Sequence, residues 1–112
     1  MNVHPSYLPA YRGADPIPWE ILHKESELGV TIHIIDQGID TGAIVCQDNI
    51  PLPRIPLFAL AENRLAKLIP NMLLATIHEI DNDRLSTKPQ SGGFYLPVPT
   101  LKNRAKNRKN KF

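Results

Sequence analysis

The sequence contains little cysteine and no long apolar run, and each absence excludes a class of protein. Cys46 is the only cysteine among 112 residues, which excludes an internal disulfide framework and is typical of a reducing, intracellular setting. No apolar run approaches the roughly 20 residues that span a bilayer. The N-terminus also lacks the charged and apolar regions of a signal peptide. We therefore expect a cytoplasmic protein that does not bind a membrane.

Charge is distributed unevenly along the chain. Residues 1–101 carry seven Lys or Arg against eleven Asp or Glu, a net charge of −4, whereas the last eleven residues carry six cations. This pattern predicts one domain over residues 1–101 and a basic C-terminal tail over residues 102–112. The tail could contact phosphates, but Phe112 is its only aromatic residue, so stacking on bases is poorly supported.

Several prolines lie in the first part of the chain. Residues 1–18 are predicted to form a loop, because several of the eleven prolines fall there and each removes a backbone donor. Asp15 before Pro16 is a typical start of a helix, since proline is well tolerated in the first turn. We predict a helix of about two turns that ends near Lys24.

Further along, the hydrophobic periodicity changes from two to about 3.6 residues. Alternating β-branched residues predict strands over residues 30–35 and 43–50, paired as an antiparallel hairpin around a glycine-containing loop. Apolar residues at steps of three and four predict a long helix over residues 57–80. Pro70 interrupts this pattern and predicts a kink or break near Lys67.

These elements do not make a complete domain by themselves. Two or three strands with one short and one long helix cannot cover both faces of an α/β sheet. We therefore expect either a piece of a larger domain or a chain that is completed by a partner chain.

Two stretches of the sequence resemble one known family when they are taken together: NVHPSYLPAYRGADPIPW and GVTIHIIDQGIDTGAIVCQ. They are similar to the folate-dependent formyltransferases, which share an Asn-x-His-Pro-Ser-x-Leu-Pro stretch, a following glycine-containing turn and an Asp-x-Gly-x-Asp-x-Gly-type loop. The spacing of 36 residues between His4 and Asp40 also agrees with the family. The matching residues are Asn2, His4, Pro5, Ser6, Leu8, Pro9, Gly13, Asp36, Gly38, Asp40 and Gly42.

The resemblance implies a fold as well as an activity. The fold is the C-terminal half of a Rossmann-like, three-layer α/β catalytic domain, with a β-hairpin and a long kinked helix. The activity is transfer of a formyl group from 10-formyltetrahydrofolate to an amine. The family's nucleotide-fold-like N-terminal half has no counterpart in this sequence, so we expect a fragment with impaired activity unless that half or a partner chain is supplied.

The resemblance also assigns roles to individual residues. Asn2 matches the asparagine that binds the formyl oxygen, His4 matches the histidine that assists at the same carbonyl, and Asp40 matches the carboxylate that pairs with it. The folate pocket is expected to be lined by loop residues Asp36, Gly38, Ile39 and Thr41. Arg12 and Gly13 match the turn beside the substrate, although a surface salt bridge is an equal interpretation of Arg12.

The chemistry of formyl transfer explains why these residue types are needed. Attack by an amine on the formyl carbon makes the oxygen negative, so hydrogen-bond donors aimed at it lower the barrier. Asn2 and His4 lie two apart on an extended segment and point to the same side. We expect Asp40 to raise the pKa of His4, keeping it charged, and to accept the proton that the amine loses.

Other interpretations of the polar residues are weaker. His33 is interpreted as a hydrogen-bonded core histidine and Cys46 as an inert thiol. A metal site built from His4, His33, Asp36 and Asp40 is not supported, because no compact ligand pair such as H-x-x-x-H is present. We therefore expect no metal.

Two other functions and the acceptor are left open by the sequence. The acceptor amine could be linked to tRNA, to a nucleotide or to a sugar. A formyltetrahydrofolate hydrolase would use similar residues with water as the acceptor. A non-catalytic fragment or interaction module, associated with nucleic acid through the basic tail, is an alternative of a different class.

Overall fold

The computed structural model describes residues 1–54 and 57–103. Within these residues the chain forms three strands and three helices: β1 (Asn2–His4), α1 (Pro16–Leu22), β2 (Glu27–His33), β3 (Ile44–Pro51), α2 (Phe58–Ala66) and α3 (Ile69–Asp81). The strands form one sheet in the order β1-β2-β3, so β2 is central and is antiparallel to both neighbours.

Most of the predicted elements are confirmed. The strands β2 and β3 pair as the expected antiparallel hairpin, and α1 starts at Pro16. The long helical pattern is broken between Ala66 and Ile69, close to the predicted position. Pro70 lies in the first turn of α3, where the missing N–H costs little because the first-turn donors have no intrahelical partner.

The prediction of a loop over residues 1–18 is wrong at its start. Asn2 to His4 form strand β1, with Asn2 opposite His33 and His4 opposite Thr31. These three residues precede the first proline, so their backbone groups are free to pair, and their partner strand is too distant in sequence to be recognised from local pattern. The chain is thus α/β, but every strand pair of the described sheet is antiparallel.

The two faces of the sheet differ in chemistry. One face packs against the helices through the hydrophobic core, which consists of Ile17, Ile21, Leu28, Val30, Ile32, Ala61, Leu65 and Met72. The other face carries Gly29, Thr31 and His33 of β2. Residues 5–11 cross this second face, where the Thr31 hydroxyl donates to the carbonyl of Ser6 (2.7 Å) and accepts from the Leu8 amide (3.1 Å). The polar face is therefore closed by a loop rather than by a helix.

The remaining sequence predictions concern the membrane and the tail. Across residues 1–54 and 57–103, no helix combines the length and apolar character needed to cross a bilayer. Of the predicted basic tail, only Lys102 and Asn103 are described, and residues 104–112 lie outside the described part of the chain. The boundary between a domain over residues 1–101 and the tail stays a prediction.

Candidate functional site

The pairing of β1 with β2 places Asn2, His4 and His33 on the polar face of the sheet. Asn2 Nδ2 lies 3.3 Å from His33 Nε2, and His33 Nδ1 lies 3.0 Å from the carbonyl oxygen of Ile34. Because a carbonyl only accepts, Nδ1 carries the proton, and neutral His33 can accept from the Asn2 amide. The rings of His4 and His33 stand edge to face, with centroids 6.3 Å apart.

His33 is the residue that sequence reasoning left outside the site. It is buried and hydrogen-bonded, as its interpretation as a core histidine required, yet it also contacts Asn2. The alternation in β2 places the His33 side chain on the other face of the strand from Val30 and Ile32. This was the only signal in the sequence for the position of His33. The short strand β1 had to be recognised before that signal could locate His33 beside Asn2.

Asp40 joins this cluster from the loop between β2 and β3. Its Oδ1 lies 3.6 Å from His4 Nδ1 and 3.7 Å from His33 Nε2, so one oxygen faces both imidazoles. The backbone of Asp40 has φ +57°, a left-handed conformation that aspartate tolerates better than most residues. The structure thus brings Asn2, His4 and Asp40 together across more than thirty residues of sequence.

The second oxygen of Asp40 is fixed by Gly13. The Gly13 amide donates to Asp40 Oδ2 at 2.8 Å. Gly13 has φ +126°, and a Cβ atom there would collide with the carbonyl oxygen of Leu96. Only glycine fits this position without strain, and its N–H sets the orientation of the carboxylate. The expected role of Gly13 in a turn beside the substrate stays a prediction.

The protonation of His4 differs from the expectation. Burial lowers the pKa of His4 below its usual 6.5, outweighing the Tyr11 carbonyl and Asp40, which both raise it. The imidazole Nε2–H donates to the Tyr11 carbonyl at 2.9 Å, so in neutral His4 the Nδ1 atom carries a free lone pair that faces Asp40. The prediction that Asp40 keeps His4 charged is therefore wrong: desolvation of the ring is the larger effect.

The loop expected to line the folate pocket is organised by Asp36. Its Oδ1 accepts from the Thr41 hydroxyl (2.7 Å) and from the Gly38 amide (3.0 Å), and these hydrogen bonds lower the pKa of Asp36. The side chain of Ile39 is 60% exposed at the tip of the loop. Asp36 thus holds the turn in shape, while Ile39 presents an apolar surface.

Gln90 connects Arg12 to the same loop, and sequence reasoning missed it. Its Nε2 donates to the carbonyls of Asp40 (2.8 Å) and Gly42 (2.7 Å). Its Oε1 accepts from Arg12 Nε (3.2 Å) and Nη2 (2.9 Å). The observed partner of Arg12 is therefore an amide oxygen, whereas the alternative interpretation proposed a salt bridge. No local pattern around residue 90 indicated this role.

The described residues do not form a metal-binding cluster. Among residues 1–54 and 57–103, no group of three or more His, Cys, Asp or Glu side chains could hold a metal ion. Cys46 is half-buried, and its sulfur lies 3.6 Å from the Thr76 hydroxyl, away from the imidazoles. The described cluster is thus one of a carboxylate, two imidazoles and an amide, suited to hydrogen bonding and proton transfer.

Comparison with known proteins finds a matching family model and several similar proteins. The family model described as formyl transferase matches residues 1–77. The chain is 39% identical to the methionyl-tRNA formyltransferase of Syntrophus aciditrophicus, covering 91% of this chain and 33% of that protein. It is 43% identical to the methionyl-tRNA formyltransferase of Synechococcus sp. strain JA-2-3B'a(2-13), with 91% and 32% covered.

A solved structure gives the same result for the fold. The formyltransferase PseJ from Anoxybacillus kamchatkensis aligns with a TM-score of 0.77 and 36% identity, over 87% of this chain and 51% of that one. Its crystal structure contains UDP-4,6-dideoxy-4-formamido-L-AltNAc and tetrahydrofolate. These matches and the α/β architecture define the class, and the chain belongs to the formyl transferase family. It spans about a third of the length of the curated relatives it matches.

Proposed function

We propose that the chain carries the formyl-transfer site of a folate-dependent formyltransferase, which moves a formyl group from 10-formyltetrahydrofolate to an amine. The observation that carries this proposal is that one oxygen of Asp40 faces His4 and His33 on the strand face that also holds Asn2. Support comes from the family match and from the tetrahydrofolate bound in the PseJ structure.

Asn2 is the proposed donor to the formyl oxygen. Its side-chain amide has two N–H groups, of which one is used in the contact with His33. Asn2 is an exposed residue, so its second N–H is accessible to the formyl oxygen of bound 10-formyltetrahydrofolate. As the amine nitrogen adds to the formyl carbon, the oxygen becomes negative and the hydrogen bond from Asn2 strengthens, which lowers the barrier.

His4 and Asp40 are proposed to handle the proton. The new C–N bond leaves the amine nitrogen with a proton to lose, and the bond from the formyl carbon to folate N10 then breaks as N10 takes up a proton. Asp40 accepts the first proton directly or through a water. His4 Nδ1 lies 3.6 Å from Asp40 Oδ1, and its free lone pair can share the proton that Asp40 has accepted. The Nε2–H of His4 already donates to the Tyr11 carbonyl. His4 is therefore better suited to accept a proton during the reaction than to donate one to the formyl oxygen.

The folate pocket is proposed to lie against the loop of residues 36–42. Asp36, Gly38 and Thr41 hold the loop in shape, and the exposed Ile39 side chain would contact the folate ring. We further propose that a Rossmann-like upstream half completes a three-layer sheet around this chain. That half would also cover the exposed apolar residues of α3, which are Leu73, Leu74, Ile77 and Ile80.

The acceptor is an amine whose carrier the site does not specify. Relatives include enzymes named for methionyl-tRNA and one whose structure contains a formylated sugar nucleotide. The isolated chain should transfer formyl poorly, because β1 has only β2 as a neighbour in the described sheet and Asn2 is its first residue. A misplacement of about 1 Å can cost about 10²-fold in rate.

The test compares the 112-residue chain with the same chain joined to the upstream half of the Syntrophus relative. Each is incubated with 10-formyltetrahydrofolate and methionyl-tRNA or an amino-sugar nucleotide, and both formylated amine and free formate are measured. We expect formylated amine from the joined protein and little from the chain alone. Equal turnover by the two would contradict the proposed impairment. Formate without formylated amine would favour the hydrolase. If neither product forms, formyl transfer is refuted.

A further inference from the structure

A pocket that formyl transfer does not use lies on the polar face, at the other end of β2 from His33. It lies beside Leu28 and Gly29, at the start of β2, and has a volume of about 270 Å³. Its titratable lining residues are Tyr7, Tyr11, Glu20, Glu25 and Glu27. Gly29 and His33 are four residues apart in one strand, so the two sites are about 13 Å apart.

Glu20 forms the floor of this pocket. It belongs to α1 but is only 2% exposed, which is rare for a glutamate without a partner of opposite charge. Its carboxyl group accepts from the backbone amide of Gly29. Its other oxygen, Oε2, is buried and has no hydrogen-bond partner among the described residues. In the protonated acid this oxygen carries a proton without an acceptor, and in the carboxylate it is an acceptor without a donor. Either form leaves a buried polar atom unpaired, which costs free energy, and a ligand that donates to the carboxylate would remove that cost.

The neighbouring groups are also acceptors or acids. Tyr11 donates its hydroxyl proton to Glu25 Oε1 at 2.6 Å, and His23 Nδ1 lies 2.9 Å from the same hydroxyl oxygen. The pKa of Glu20 is raised to about 9: burial is the main cause, the hydrogen bond from the Gly29 amide opposes it, and the charge of Glu25 adds to the rise. Burial and Glu25 likewise raise the pKa of Tyr11. Among the described residues no Lys, Arg or His lines the pocket, so its glutamates have no cationic side chain beside them in the lining.

We propose that this pocket binds the ammonium group of a small organic amine, with Glu20 Oε2 as the principal acceptor and Glu25 as the second carboxylate. An ammonium supplies both the missing hydrogen-bond donor and the missing positive charge. A metal ion is less suitable, because the described residues include no cluster of ligands that could hold one. The aromatic ring of Tyr7 would contact the alkyl part of the amine. This inference does not depend on the proposed formyl transfer.

Calorimetric titration of the 112-residue chain with n-butylammonium, and separately with n-butanol, tests the charge requirement. We expect n-butylammonium to bind and n-butanol, which has the same length but no charge, not to bind. Substituting Glu20→Gln keeps the shape of the side chain and removes its ability to ionise when the cation binds, and should weaken n-butylammonium binding about 10- to 100-fold. The matched control is Glu62→Gln, an exposed glutamate of α2, which should bind as the unmodified chain does.

The same titration reports the proton that binding displaces. Glu20 is faced by Glu25, Tyr11 and the Gly29 amide, with Tyr7 and Glu27 also in the pocket. At neutral pH its carboxyl is protonated, so binding of the cation should release close to one proton, seen as different heats in phosphate and HEPES buffers. Absence of n-butylammonium binding, or equal binding by the Glu20→Gln chain, would overturn the proposal. If Glu20→Gln does not fold, unchanged binding by Glu25→Gln would overturn it instead.

Discussion

Both ends of the central strand β2 lie beside a buried titratable side chain, His4 at one end and Glu20 at the other, and these two side chains differ in their partners. At the His33 end, His4 faces the carboxylate of Asp40 at 3.6 Å. At the Gly29 end, Glu20 is faced by a second acid, Glu25. Burial favours the neutral form at both ends, since it lowers the pKa of His4 and raises that of Glu20 to about 9. His4 has a carboxylate beside it that stabilises its charged form, whereas the charged form of Glu20 is stabilised only by the hydrogen bond from the Gly29 amide.

This difference separates a site for proton transfer from a site for binding. A neutral imidazole beside a carboxylate can accept a proton during a reaction, because the positive charge that results is stabilised where it forms. A buried acid beside another acid stays neutral at neutral pH unless a cation from outside stabilises its charge. The Asp40 end is therefore suited to chemistry, whereas the Glu20 end is suited to recognising a positive charge.

The largest expected effect at the His33 end follows from Asn2→Ala in the chain joined to an upstream half. This change removes the proposed donor to the formyl oxygen, so formyl transfer should fall about 10²- to 10³-fold. Asn71→Ala, an exposed position on α3, is the matched control and should retain the full rate. A comparable rate in the Asn2 and Asn71 variants would remove Asn2 from the mechanism.

At the Gly29 end, the stability of the protein should depend on the proton of Glu20. The folded-state pKa of Glu20, about 9, lies above the usual 4.5. The contribution of the protonated Glu20 carboxyl to stability is therefore complete below about pH 4.5 and is lost as pH rises toward 9. Between about pH 5 and pH 7 the free energy of unfolding should decrease by about 2–3 kcal/mol.

Chemical denaturation of the unmodified chain and of Glu20→Gln at the two pH values tests that linkage. Glutamine resembles the protonated acid and does not titrate, so the variant should lose most of the decrease, whereas Glu62→Gln should keep it. If Glu20→Gln shows the same pH dependence as the unmodified chain, the buried carboxyl is not the group responsible.

A smaller effect is expected from Gln90→Ala, which removes the link between Arg12 and the Asp40 loop. Two carbonyl oxygens, those of Asp40 and Gly42, would lose a donor, and the free energy of unfolding should decrease by about 1–3 kcal/mol. Gln37→Ala, in the exposed part of the same loop, serves as the control with little expected change. Equal losses in the two variants would show that the Gln90 bridge does not hold the loop.

The smallest expected effect concerns the proton of His4. Its folded-state pKa lies below 6.5, so its contribution to stability is complete above pH 6.5 and is lost as pH falls through the lowered value. Between about pH 7.5 and pH 5.5, unfolding measurements should therefore show a larger decrease for the unmodified chain than for His4→Gln. His78→Gln, on the exposed surface of α3, should behave like the unmodified chain; a pH dependence that His4→Gln leaves intact would assign it to another group.

The regular elements could be predicted because their information is local. Alternation in residues 30–33 identified β2, and Pro70 located the break between α2 and α3. Strand β1 could not be identified in this way, since three residues carry no periodicity and their partner lies about thirty residues away. Motif resemblance supplied Asn2, His4 and Asp40, which the structure brings together.

The contacts around those residues depend on tertiary packing. Gln90 reaches the Asp40 loop across 50 residues of sequence, and nothing near residue 90 signals it. The pKa of His4 was predicted in the wrong direction, because the sequence shows the neighbouring carboxylate but not the extent of burial. Glu20 was missed for a similar reason: a glutamate on a short helix is usually exposed, whereas tertiary packing leaves this one only 2% exposed.

The rate of formyl transfer in the joined protein, compared between Asp40→Asn and Asp48→Asn, tests the central assignment most directly. Asparagine keeps the size of the Asp40 side chain and removes its ability to accept a proton, so transfer should fall about 10²-fold or more, whereas Asp48 is exposed on β3 and its replacement should have little effect. Equal rates in these two variants would contradict the assignment of the carboxylate, imidazole and amide cluster as the site of formyl transfer.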